Sequence, residues 1–216
     1  MLPQNLEPVE VRVLGSLIEK ELSTPDHYPL SLNALTAACN QSSNREPVMT
    51  LDENAVSGAI TVLRRLSLVR SFQGSGSRVP KYQHLLTDAG DLSRMELAVL
   101  CVLTLRGPQT LAEVRARAAR LMPGEEPDGI EAALEALVAR QPTPAATRLP
   151  RRPGQKEARY AHLLGGDVAY EAEDTPPPIP AAGTDRVAAL EEVTRELRSE
   201  INDLRAQLAA FRKQFE

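Results

Sequence analysis

Tryptophan is missing from this 216-residue chain, and phenylalanine and tyrosine number only 3 and 4. Any core must therefore be built from Leu, Val, Ile and Ala. Cysteine is nearly as scarce. Cys39 and Cys101 stand far apart with no CxxC spacing, which excludes a disulfide framework and fits a reducing compartment. His27, His84 and His162 are the 3 histidines, and no HxxxH, CxxC or HxxE spacing puts two metal ligands on one face, so no metal or other cofactor is expected. No apolar run approaches the ~20 residues of a membrane span. The opening Met1-Leu-Pro-Gln-Asn-Leu-Glu has neither the basic start nor the apolar stretch of a signal peptide. A positive excess is missing too: 25 basic against 29 acidic side chains leave a net charge of −4. These absences point to a cytoplasmic protein without a membrane anchor, whose contacts with nucleic acid would have to come from local patches.

What is present is a repeat. Lys81-Tyr-Gln-His-Leu-Leu86 returns as Arg159-Tyr-Ala-His-Leu-Leu164, and the same order of elements precedes each. In the first copy Val9, Val13, Leu14, Leu17 and Ile18 fall at helical spacing behind Pro8. The second copy opens on Ser93 and Glu96, a capping box that Leu92 and Leu97 can staple. A short second helix follows in each, from Ser31 to about Asn40 and from Thr110 to about Leu121. A third runs from Asp52 to about Leu66 and from about Asp128 to Val138. Each third helix leads into a hairpin pattern, Leu68–Phe72 to Tyr82 around a Gly/Ser tip, and Ala146–Leu149 to Tyr160 around Pro150-Arg-Arg-Pro-Gly154. Three helices and a β-hairpin, twice over, predict an α+β fold, mainly α with small hairpins: tandem winged-helix domains over 1–91 and 92–166.

Beyond these the pattern changes. Thr175-Pro-Pro-Pro-Ile-Pro180 cannot be helical and reads as a stiff linker over 167–184. From 185 to 216 a heptad seam places Val187, Thr194, Ile201, Leu208 and Phe215 at position a and Leu190, Leu197, Leu204 and Phe211 at position d. Eight of these nine are apolar, which predicts a C-terminal coiled-coil helix joining two chains as a homodimer.

The stretch Thr24-Pro-Asp-His-Tyr-Pro-Leu-Ser-Leu-Asn-Ala-Leu-Thr-Ala-Ala-Cys-Asn-Gln-Ser-Ser-Asn-Arg-Glu-Pro-Val-Met49 resembles the YceH family of bacterial proteins of unknown function. Leu105-Arg-Gly-Pro-Gln-Thr110 and residues 153–164 support the resemblance, which covers 6 to about 166. It implies the same tandem winged-helix fold and no assigned activity.

The chemistry of catalysis is not visible here. His84 and His162 occupy equivalent places in the repeat and read as hydrogen bonders of the fold. Gly74-Ser-Gly76 lies in no Walker or Rossmann frame, and both cysteines read as core. The chain is therefore expected not to be an enzyme. Winged helices suggest duplex DNA instead, with Arg45, Arg64, Arg65, Arg78 and Lys81 in the first copy and Arg148, Arg151, Arg152, Lys156 and Arg159 in the second as phosphate contacts. Carboxylates argue against base reading: Asp52 and Glu53 open one third helix, and Asp128, Glu131 and Glu135 lie on the other. The expectation is thus a DNA-associated protein with weak sequence preference. The alternative is a protein–protein scaffold that uses the same helices and the rod.

Overall fold

A computed structural model describes residues 2–73, 79–87, 92–124, 127–151 and 155–166. Arg78, Arg152, the proline-rich linker and the whole heptad seam (Val187, Leu190, Leu197, Ile201, Leu204, Leu208, Phe211, Phe215) lie outside these residues. The chain divides into two compact units, Met1–Tyr170 and Glu171–Glu216. Every described residue belongs to the first.

That unit is mixed α and β, and its elements come in two matching series. The first is α1 (Pro8–Ser23), β1 (Leu30–Ser31), α2 (Leu32–Cys39), α3 (Glu53–Arg65), β2 (Val69–Phe72) and β3 (Lys81–His84). The second is α4 (Arg94–Arg106), β4 (Gln109–Thr110), α5 (Leu111–Leu121), α6 (Ile130–Ala139), β5 (Ala146–Leu149) and β6 (Arg159–His162). Each series makes one antiparallel sheet, in the orders β1-β3-β2 and β4-β6-β5. The registers match as well: Leu30 opposes Tyr82 as Gln109 opposes Tyr160, and Val69 opposes His84 as Ala146 opposes His162. The repeat in the sequence is a repeat of pairings.

Local chemistry sets most helix starts. Pro8 stands at the first position of α1, where its missing N–H costs nothing. Ser31 Oγ accepts from Ala34 N at 3.3 Å, and Asp52 Oδ1 accepts from Ala55 N at 2.7 Å. Ser93 with Glu96, and Thr110 with Glu113, close both bonds of their capping boxes. Each such cap is worth about 1 kcal/mol.

The core is continuous through both series. α1 packs on α4, and every residue from Leu97 to Leu105 is buried. A helix apolar on all sides needs partners all round, and α4 has them in α1, α5, α6 and β6. Gly15 marks the closest approach: a Cβ there would lie 2.7 Å from Thr104 Oγ1, whose hydroxyl is tied to the carbonyls of Leu100 and Cys101. Backbone bonds also cross between the series, from Leu6 N to Leu164 O at 2.8 Å and from Glu46 N to Leu105 O at 2.8 Å. Cys39 and Cys101 are both buried, and burial raises both thiol pKa values. Among the described residues, no helix is long and apolar enough to cross a membrane and no group of three His, Cys, Asp or Glu side chains is placed to hold a metal ion.

Candidate nucleic-acid interface

The polar loop after α2 is the first place to look for a contact residue, and there the structure corrects the expectation. Arg45 is 4% exposed. Its guanidinium donates to both carboxylate oxygens of Glu19, at 3.1 and 2.6 Å, and to Ala38 O at 2.8 Å. Further bonds reach Asn44 O and Gln41 Oε1. Arg12, 2% exposed, donates to Cys39 O at 3.1 Å and to Pro47 O at 2.6 Å. Two guanidinium groups thus satisfy the last carbonyls of α2, the negative end of its dipole. Burial opposes ionisation of Glu19, but the hydrogen bonds and charge of Arg45, helped by Lys20, hold its carboxyl below the usual range. The amides serve the same loop. Asn40 caps α2 and exchanges two bonds with the backbone of Leu51, and Asn44 takes a φ of +61° that Asn tolerates. Arg45 therefore cannot reach a ligand, because its donors are spent on the fold.

The paired histidines differ. His84 is buried; its Nε2 pairs with Glu21, its Nδ1 accepts from Leu86 N, and its own N–H donates to the Tyr28 hydroxyl at 2.7 Å. The His84 hydrogen bond, partly opposed by burial, lowers the pKa of Glu21. Among the described residues His162 has no such acid, because Gly107 stands where counting from the helix caps puts the counterpart of Glu21. Its Nδ1 is buried with no partner, and burial lowers its pKa to about 4. A histidine with a lowered folded pKa gives stability that is complete above the unfolded value of ~6.5 and lost as pH falls toward the folded one. His162→Phe should flatten the stability profile between pH 6.5 and 4. Urea midpoints across that range check it, and an unchanged slope would refute it.

The remaining cations are at the surface. Along α3, Val56, Ala59, Ile60 and Leu63 face the core, leaving Asn54, Ser57, Gly58, Thr61, Arg64 and Arg65 outward. Arg64, Arg65 and Arg70 line a shallow depression of ≈570 Å³ together with Thr61, Ser67 and Ser71, and among the described residues no carboxylate lines it. Gln83 Oε1, with its amide turned toward β2, accepts two bonds from Arg70 and fixes that side chain. Lys81 is exposed at the start of β3. Arg64 and Arg65 also complement the dipole at the end of α3.

In the second series a groove of ≈890 Å³ runs between α5, α6 and the β5–β6 hairpin. Leu111, Ala112, Ala116 and Tyr160 supply apolar lining, and Arg148, Arg151 and Lys156 line it with Arg115 of α5. Arg115 joins the candidates named from the sequence; it is exposed, beside the stripe that buries Val114 and Ala118. Glu131, Glu135 and Glu157 line the same groove. Arg159 lies apart from it, exposed and bonded to Pro108 O at 3.1 Å. Among the described residues, none of Arg64, Arg65, Lys81, Arg148, Arg151, Lys156 and Arg159 forms an ion pair within 4.0 Å.

The carboxylates of α3 are engaged where the sequence suggested repulsion. Asp52 is spent on the N-cap, and Glu53 Oε1 accepts from Asn33 Nδ2 at 3.4 Å. On α6, by contrast, Glu131 and Glu135 look into the groove.

Residues 6–155 match the model of a family described as protein of unknown function, DUF480. The chain is 50% identical over 217 residues to a UPF0502 protein of Pelobacter propionicus, covering 98% of each chain. It is 49% identical to one of Geobacter sulfurreducens with the same coverage. A third, from Vibrio parahaemolyticus, is 45% identical over 94% of this chain and 96% of its own.

Proposed function

We propose a function from the residues themselves, because the chain belongs to DUF480, a family of proteins of unknown function. In this reading it is a cytoplasmic, non-catalytic tandem winged-helix protein that holds duplex DNA through cations beside its two hairpins. One observation carries it: seven exposed Lys and Arg side chains near the hairpins lack internal ion pairs among the described residues. Unpaired, flexible cations are what phosphate contacts need. The two series fit the winged-helix order, with α3 and α6 as third helices and β2–β3 and β5–β6 as wings. The test is titration of 30-base-pair duplexes at several salt concentrations. The expected result is affinity that falls steeply with salt, and no binding at low salt would overturn the reading.

The residues 185–216 join two such chains in this proposal, giving a homodimer. Light scattering on the full chain should then report twice the 23.5 kDa of one copy, and a monomer mass would remove the dimer. A scaffold role is favoured by one feature only, the second groove, where apolar floor and charges of both signs suit a protein partner.

A further inference from the structure

The two series do not present the same chemistry to a duplex, and the difference has a consequence that rests on the DNA reading above. The depression beside α3 offers Arg64, Arg65 and Arg70 with no carboxylate among its described lining residues. A guanidinium fork suits a phosphate, and Gln83 holds that of Arg70 in place. The groove beside α6 sets Glu131 and Glu135 among its cations. A duplex entering there would bring phosphates toward both carboxylates.

Gly58 adds an independent point. It sits inside α3, and nothing lies within 4 Å of the place its Cβ would occupy. The packing of this chain does not require a glycine there, and a helix-interior glycine is less stable than alanine. A glycine that the fold does not need leaves room for something outside the fold. Ser57 and Thr61 flank it on the outward face, and the arginine depression begins at Thr61.

We propose that base reading belongs to the first series alone: the depression of Arg64, Arg65 and Arg70 seats a backbone phosphate of duplex DNA and so brings α3, at Gly58, flush against the base edges, while the second series contributes phosphate contacts only. The Asn54 amide and the Ser57 hydroxyl carry donors and acceptors that base edges pair with, while Thr61 Oγ1, which donates to Ser57 O at 3.0 Å, is left as an acceptor. Selectivity greater than the wings alone would give follows from this arrangement.

The test uses the full chain and a library of 30-base-pair duplexes with a randomised centre, selected by binding and then sequenced. The unsubstituted protein should enrich a defined sequence. Gly58→Gln should melt about 2–4 °C higher, yet bind the enriched duplex at least tenfold more weakly. Ser57→Ala with Thr61→Ala should change the enriched sequence, while Glu131→Gln with Glu135→Gln should tighten binding to all duplexes alike. Gly58→Gln binding as well as the unsubstituted chain overturns the proposal. So does enrichment that follows Glu131 and Glu135, or binding with no enrichment; both leave the DNA reading standing. Absence of any duplex binding overturns both.

Discussion

Arg45→Met should lower the stability of the fold by about 3–5 kcal/mol, the cost of breaking a buried ion pair from one side. The size follows from what is left behind. Glu19 is 7% exposed, so its carboxylate would stay in a dry site without the fork that satisfies it. Ala38 O would lose its donor at the end of α2 as well. Against a total stability of about 5–15 kcal/mol, such a loss is a large share. Urea unfolding at pH 7 measures it. Glu19→Gln gives the comparison from the other partner, and Arg45→Met with Glu19→Leu should recover much of the loss, because no charge is stranded. The pH dependence has a definite sign. The folded pKa of Glu19 is held low, so its contribution is present above the unfolded carboxylate value and lost as pH falls through the folded one. In Arg45→Met the buried acid keeps only the half-buried Lys20, at 3.4 Å, in place of the guanidinium fork, and the deficit should shrink on acidification. A loss below about 1 kcal/mol at pH 7 would contradict the buried-pair account.

Neutralising Arg148, Arg151 and Lys156 together should leave the fold intact and weaken DNA binding uniformly. All three are exposed and, among the described residues, outside any ion pair, so stability should move by no more than about 0.5 kcal/mol. If each meets a phosphate, the slope of log affinity against log salt should become shallower by about 2.7, near 0.9 for each contact. Phosphates carry no base information, so every duplex should suffer alike. Titrations of the variant and the unsubstituted chain at matched salt compare the slopes. An unchanged slope would remove the second hairpin from the interface, and selective loss on one sequence would mean that these side chains read bases.

Much of the architecture was legible because its causes are local. A serine three residues before a glutamate closes a cap using atoms within one turn, so Ser93, Glu96, Thr110 and Glu113 could be assigned on sight. The repeated Tyr-x-His-Leu-Leu likewise announced two strands in equivalent registers. The candidate cations near the hairpins were legible as types and positions. That the described ones form no ion pair among the described residues was not, since that depends on where the acids lie in space.

Three outcomes needed the folded chain. Arg45 sits in a polar stretch of the sequence and Arg64 among Val62, Leu63 and Leu66, yet the first is sealed against Glu19, 26 residues upstream, and the second is exposed. His84 and His162 are identical by repeat, but among the described residues an acid reaches only the first, because Gly107 stands where the first series has Glu21. Asp52 and Glu53 stay charged and exposed at the start of α3, but the N-cap and Asn33 fix where those charges lie. Caps and strand registers rest on short-range signals that survive in one dimension. Whether a charge is spent on the interior or offered to a partner depends on distances between remote segments, and those exist only once the core has closed.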